Sequence, residues 1–329
     1  MKYLRSLRPA DTLIIAFALL LSVIVLVFLT LHSNERVSDD VIRVKHFSIQ
    51  GWPWLISINL LFAIGIVALS YAASTTTSRL IRVIHDWYPA PVIFLSFKEI
   101  YVIIQSLGRP DMDATLIAID RWIFGTDPTA WIFRFATPTL TEILQIAYAS
   151  FYLLMILTGL EPYLRKERET FSFVIFTFLW GFFLSYIGYL FVPGVGPRFT
   201  LHNFSALDAE LPGVFCTSAI RDFINAGESI PTGAPYALAL AQRDVFPSGH
   251  TEMTLIVMYL ATKLKLRTRP FLYVFGSLLI LATVYLRYHY VIDLIAGAAL
   301  MAFTVWSAPK LWKWWNNVVG VAPNLQGPN

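Results

Sequence analysis

The chain has 329 residues, of which 57% are hydrophobic and only 14% charged, and its mean hydropathy is +0.62. That balance excludes an ordinary soluble domain and matches a polytopic membrane protein. The net charge of +4 is carried mainly in short loops between apolar runs, where it sets topology, so no nucleic-acid partner is expected. A single cysteine, Cys216, excludes an intramolecular disulfide and any multi-cysteine zinc site. The 25 phenylalanines and 10 tryptophans supply surface for acyl chains and the membrane interface.

In chain order, apolar runs long enough to cross a bilayer occupy roughly residues 12–31, 53–73, 139–160, 171–192, 271–287 and 289–307. The first follows basic residues but lacks a small-residue cleavage pattern, so it reads as a retained span and not a cleaved leader. Two further segments bring the expected count to eight: 90–107, which contains Lys98 and Glu99, and 250–261, which opens at His250. Lys98 and Glu99 are expected to pair with each other or to contact the long loop 193–249.

Loop charge supports this count, because cytoplasmic loops are rich in Lys and Arg. With Lys2, Arg5 and Arg8 inside, eight crossings also place Arg79 and Arg82 there, then Arg165, Lys166 and Arg168. Lys263, Lys265, Arg267 and Arg269 follow on the same side, and finally Lys310 and Lys313. Without a crossing at 90–107, the loops of Arg165 and Lys263 would lie outside. Both termini are therefore expected in the cytoplasm and the connection 193–249 on the other side, its mixed prolines, glycines and polar residues predicting little regular structure. No internal repeat or low-complexity linker divides the chain. The expected fold is all-α, a polytopic membrane helical bundle of about eight spans. Residues 1–89 form two N-terminal spans and loops, 90–315 a transmembrane core, and 316–329 a frayed tail.

Three short stretches fall at span ends on the outer side. Phe246-Pro247-Ser248-Gly249-His250-Thr251 passes directly into an apolar helix, which makes Ser248 an N-cap and leaves the first-turn amides facing outward. Such a terminus suits an anion: a phosphate takes N–H bonds around Ser248 to His250, Gly249 admits its oxygen closely, and the His250 imidazole donates a proton. An ordinary capped entrance with a solvated histidine is the alternative. In Arg287-Tyr288-His289-Tyr290-Val291-Ile292-Asp293, the spacing puts His289 and Asp293 on one helix face. The carboxylate then fixes the tautomer, and the other nitrogen of His289 attacks phosphorus to give a phosphohistidine. Metal ligation is a second use of the pair, and a purely structural pair a third, disfavoured because ionisable groups near a membrane are costly. The third stretch, Pro193-Gly194-Val195-Gly196-Pro197-Arg198-Phe199, joins a backbone-rich turn to a guanidinium that clamps phosphate or else snorkels to lipid headgroups.

Pro247-Ser248-Gly249-His250 followed by His289 and Asp293 resembles the type 2 phosphatidic acid phosphatase superfamily. The resemblance implies a six-helix core in which His250 protonates the leaving group and His289 is the nucleophile, oriented by Asp293. Two positions depart from the family pattern. Its Lys, six residues and Arg-Pro motif is not transferred, because ten residues separate Lys98 from Arg109-Pro110 and these lie further upstream than usual. Its Ser-Arg pair, with Arg six residues before the nucleophile, is replaced by Ala282 and Thr283. The resemblance therefore leaves the phosphate contacts to Arg198 and Arg287, with Arg243 a further candidate beside Ser248 and Gly249. His289-Tyr290-x-x-Asp293 and Asp244 just before Phe246 are similar to the headgroup transferases, inositol phosphorylceramide synthases and sphingomyelin synthases. Asp120-Arg121-Trp122-Ile123-Phe124-Gly125, Pro128 and Gly196-Pro197-Arg198 look like the inositol-phosphotransferase branch. The resemblance covers roughly residues 120–300.

These readings predict an integral membrane enzyme of lipid metabolism that handles a lipid phosphate through a phosphohistidine. Transfer of a phospho-headgroup to a lipid or polyol hydroxyl is the leading expectation, and hydrolysis of a lipid monophosphate or diphosphate by water is the alternative. A lipid-binding protein or transporter ranks third, since the repeats of transporters are not evident. No cofactor and no metal is expected, because arginines and helix-terminal amides can neutralise phosphate in the transition state. The active site is expected on the periplasmic, extracellular or lumenal side.

Overall fold

In lipid the backbone must satisfy its own hydrogen bonds, so long apolar runs become helices. The computed structural model describes residues 3, 6–32, 52–234 and 236–319, and every regular element among them is helical. The N-terminal part contains α1 (Pro9–His32), α2 (Trp52–Thr75), α3 (Arg79–Trp87) and α4 (Pro89–Leu107). Then come α5 (Asp113–Phe124), α6 (Pro128–Ile132), α7 (Pro138–Ala149), α8 (Phe151–Leu164) and α9 (Arg168–Phe191). The long connection 193–249 carries α10 (Pro197–Thr200), α11 (Leu207–Glu210), α12 (Thr217–Gly227) and α13 (Ala237–Leu240), and α14 (Gly249–Lys263), α15 (Arg269–Tyr285) and α16 (Val291–Val319) close the bundle. Proline at the first turn starts α4, α6, α7, α10 and α15, where its missing N–H costs nothing.

Among the described residues, five stretches are long and apolar enough to cross a membrane: Pro9–Phe28, Pro53–Thr75, Arg79–Leu107, Arg168–Phe191 and Val291–Val319. The segment expected at 90–107 thus forms the C-terminal part of a longer apolar stretch. The run expected at 139–160 is a pair, α7 and α8, bent by 48° around Ser150, and with it the count reaches six. The remaining two expected spans are shorter helices. α15 has 17 residues, and α14 has 15, about 22 Å at 1.5 Å per residue. α14 packs against α8, α9, α15 and α16 and buries Met253, Ile256, Val257, Leu260 and Ala261. Protein surrounds it, so it does not need the length or the apolarity that lipid contact demands. The last helix opens at Val291, two residues later than expected, and continues to Val319; residues 320–329 lie outside the described residues, as do Lys2 and Arg5. Large apolar side chains remain exposed along the outer helices, among them Leu61, Ile64, Leu95 and Trp306, which is the surface an integral membrane protein offers to acyl chains.

The two ends of the bundle are chemically distinct. At one, Arg8 pairs with Asp86 at 3.0 Å and Arg168 with the same carboxylate at 2.5 Å, and Glu161 accepts the N–H groups of Arg267 and Thr268. This gathers groups from the N-terminal segment and three of the loops assigned to the same side by the positive-inside count. At the other end, the connection 193–249 is more regular than its sequence predicts. The Glu142 carboxylate on α7 takes the N–H groups of Val214, Phe215 and Cys216 and the hydroxyl of Thr217. It thereby supplies the start of α12 with an acceptor that no local residue provides. Lys98 donates to the Gly227 carbonyl and to Ser229 Oγ at 3.0 Å, whereas Glu99 accepts from Asn59 at 2.7 Å. Of the two expectations for Lys98 and Glu99, contact with the loop is the one observed.

Candidate active site

The N-terminus of α14 carries the first candidate residues. Ser248 is its N-cap, with the hydroxyl accepting from the Thr251 N–H at 3.2 Å. Gly249 and Gly297 allow the close packing around this turn. A Cβ at Gly249 would fall 2.5 Å from the Tyr189 hydroxyl, and one at Gly297 would fall 2.5 Å from the Ser248 carbonyl oxygen. His250 follows in the first turn, its ring stacked on Tyr148 at 4.7 Å and packed against Phe151 at 4.4 Å between centroids. The His289 ring lies 5.6 Å from it.

His289 does not sit on a helix, as the four-residue spacing to Asp293 predicts, but in the connection between α15 and α16. The chain turns there at Arg287, which takes a positive φ of 68°, a conformation uncommon outside glycine. α16 begins only where Asp120 accepts the N–H groups of Val291 and Ile292, each at 2.8 Å. The pairing survives this change of geometry. His289 Nδ1 donates to the Val245 carbonyl at 3.0 Å and stands 3.4 Å from Asp293 Oδ2, which accepts the Tyr290 N–H at 2.8 Å. Since a carbonyl can only accept, the proton is on Nδ1 and the lone pair on Nε2. Burial, then the charges of His250 and Arg198, hold the His289 pKa well below its ordinary value, so the ring is neutral at physiological pH.

The three candidate stretches meet through main-chain bonds: Arg198 N–H to the Arg287 carbonyl at 3.0 Å, Ser248 N–H to the Asp293 carbonyl at 3.0 Å, and Val245 N–H to the Gly194 carbonyl at 3.4 Å. Asp113 locks the stretch 193–199 to the stretch 287–293, accepting from Val195 N at 3.0 Å, Gly196 N at 2.9 Å and the Tyr290 hydroxyl at 2.7 Å.

The arginines differ in position. Arg198 is 6% exposed, lies over the Tyr288 ring at 4.7 Å, and is held by Glu228 and by Asn225; its charge acts on His289. Arg287 points to Glu210 and lies over Phe133 at 5.0 Å, away from the two histidines. Arg243 is bound to Asp111 at 3.1 Å and to the Ala241 carbonyl. The structure therefore brings His250, His289, Asp293, Ser248, Gly249 and Arg198 together, and places Arg287 and Arg243 in ion pairs of their own. Asp244 lies partly buried among Glu228, Arg198 and Lys98, and burial, then the Glu228 charge, pushes its pKa up to about 7. Among the described residues no group of three or more His, Cys, Asp or Glu side chains is arranged to hold a metal ion.

Several residues that shape this site escaped the motif reading. Tyr148 and Tyr288 stack at 4.2 Å and join His250 to Arg198 through a row of rings. Glu252, fully buried two residues after His250, receives the hydroxyls of Ser185 on α9 and Thr304 on α16. A signal existed for Tyr148. Thr141, Glu142, Gln145 and Tyr148 form a polar stripe at helical spacing in an otherwise apolar run, and such stripes face protein and not lipid.

A family model described as the PAP2 superfamily matches residues 114–307, more than half of the chain. No curated protein matches the chain, and no solved structure does. The matched region contains both histidines, Asp293, Asp120 and Arg198, and leaves α1 to α4 outside it.

Proposed function

Because this chain belongs to the PAP2 superfamily, and is therefore a membrane enzyme of the phosphatase and phosphotransferase kind, we propose that it transfers a phospho-headgroup between lipids, or from a lipid to a polyol, through His289. The observation that carries the reading is the Val245–His289–Asp293 arrangement, which supplies a neutral imidazole with a free Nε2 beside a second histidine at a helix N-terminus. In the first half-reaction the Nε2 lone pair forms a bond to phosphorus as the bond to the leaving oxygen breaks, and His250 gives that oxygen its proton. Asp293 stabilises the positive charge on the His289 ring. Arg198 and the first amides of α14 neutralise the charge that builds on the phosphate oxygens. In the second half-reaction the acceptor hydroxyl forms its bond to phosphorus, the N–P bond breaks, and His250 takes the hydroxyl proton.

Enclosure favours an alcohol over water as the acceptor. His250 is packed between Tyr148 and Phe151, and α10 to α13 occupy the connection over this end, so bulk water has restricted access. The motifs around Asp244, Asp120 and Gly196-Pro197-Arg198 add the likeness to inositol phosphorylceramide and sphingomyelin synthases. Residues 90–315 act as the catalytic core, and loop charge puts both termini in the cytoplasm with the site on the opposite face. In this account Arg287 and Arg243 position the loops through Glu210 and Asp111, and the phosphate contact falls to Arg198. The test is incubation of the purified protein, in native lipid extract, with a phospholipid donor labelled in its phosphate. Label in a new lipid that is absent with His289→Ala supports transfer. Release only as free phosphate means hydrolysis, and equal products from both proteins would contradict the His289 mechanism.

A further inference from the structure

α4 and α8 both pack on α9, and between them runs an apolar groove of about 330 Å³. Its lining includes Ala90 and Phe94 from α4, Tyr152 and Ile156 from α8, and Ile175 and Phe182 from α9. Phe94 and Ile156 are 42% and 45% exposed, so the groove opens sideways, toward the bilayer. Seven residues of α9 separate Ile175 from Phe182, about 10 Å at the helical rise and most of the depth of one leaflet.

The catalytic end of the groove is continuous with the site. Tyr152 and Phe182 both pack against Phe151, at 5.1 and 6.1 Å, and Phe151 packs against His250 at 4.4 Å. One turn beyond Phe94, Lys98 holds its ammonium 5.5 Å from the Phe94 ring while bonding Gly227 and Ser229 of the covering loop. Outward along α4, the surface thus changes from apolar to cationic. This sequence of environments fits a lipid whose chain lies in the bilayer and whose phosphate lies beyond it.

We infer that the groove between α4 and α8 seats an acyl chain of the phosphate-bearing lipid substrate, which enters from the bilayer and turns over Phe151 toward His250. The inference rests on the reading of the histidine pair as a lipid phosphate site. It assigns α4, outside the matched family region, to substrate recognition, and makes chain length a determinant of affinity.

The test uses the full chain in lipid nanodiscs with a phosphatidic acid carrying a diazirine at the end of one chain. Photolysis is expected to label α4 between Ala90 and Phe94 and α8 between Tyr152 and Ile156. Ala90→Trp fills the groove and is expected to cut that labelling about tenfold, within the range for lost apolar pocket contacts, whereas Leu95→Trp, at a lipid-facing position of the same helix outside the groove, leaves it intact. Labelling spread evenly over the lipid-facing surface, annular lipid only, would overturn the inference, as would labelling unchanged by Ala90→Trp. Labelling requires no turnover and is expected to persist in His289→Ala. A protein that labels in the groove but turns over no lipid would fail the catalytic reading and leave the groove assignment standing.

Discussion

The Nδ1–H of His289 donates to the carbonyl oxygen of Val245 at 3.0 Å, so a main-chain acceptor, together with the Asp293 carboxylate, fixes which ring nitrogen is free. This divides the work of orienting the proposed nucleophile. Where a carboxylate alone sets the tautomer, its amide replacement loses roughly 10⁴-fold in kcat. Here Asp293→Asn removes the charge but leaves the Val245 bond, so the expected loss in kcat is smaller, about 10²-fold, while His289→Ala abolishes turnover. Single-turnover kinetics on both variants decide the matter, and a loss with Asp293→Asn as complete as that with His289→Ala would show that Val245 does not hold the tautomer.

Gly297 lets α16 touch the turn that precedes His250. Its added Cβ would fall 2.5 Å from the Ser248 carbonyl oxygen, a main-chain atom that cannot rotate away. Gly297→Ala is expected to cost about 1–3 kcal/mol, the range for overpacked interiors, and to lower turnover by displacing His250 from His289. Thermal unfolding in detergent and an activity assay on the same sample check both effects.

Arg198 and Glu228 are buried together, with side chains 7% and 16% exposed. Arg198→Ala leaves the Glu228 carboxylate without its partner and is expected to destabilise by about 3–5 kcal/mol. Adding Glu228→Gln removes the stranded charge, so the double variant is expected to recover most of the stability and none of the phosphate affinity. Recovery of activity as well would assign Arg198 a purely structural role.

The pH response is set partly by Asp244, whose pKa of about 7 in the folded chain compares with about 3.9 in an unfolded one. A carboxyl whose pKa is raised on folding stabilises the fold below its unfolded pKa and loses that contribution as pH rises through its folded pKa. Asp244→Asn is therefore expected to match the wild type near pH 4 and to exceed it at pH 8, by an amount on the order of 2 kcal/mol given its partial exposure. Melting curves across that range provide the measurement. A wild type that gains stability relative to Asp244→Asn as pH rises would reverse the sign and refute the assignment.

Much of the bundle was legible because apolar run length and loop charge are local properties. The stretches around α1, α2, α9 and α16 needed no tertiary information, and the two histidines that the fold brings together could be named from Pro247-Ser248-Gly249-His250 and His289. What stayed hidden depends on long-range contacts. α12 looked like irregular loop because its acceptor, Glu142, lies 72 positions before Val214. His289 was expected on a helix, but Asp120, far upstream, sets the start of α16 two residues later. Arg287 and Arg198 look alike as cations beside a glycine- or tyrosine-rich turn; only the fold shows Glu210 drawing one away and Tyr288 holding the other near the histidines.

The central claim is that His289 carries the phosphorus between two partners, and the most direct test is to catch it there. Protein mixed with a phosphate-labelled lipid donor, quenched in alkali within milliseconds and digested, is predicted to yield label on the peptide containing His289, with His250→Ala reducing the rate of labelling. Turnover of the donor without label on His289, under the same quench and at full enzyme concentration, would contradict the account and transfer the reaction to direct displacement by the acceptor.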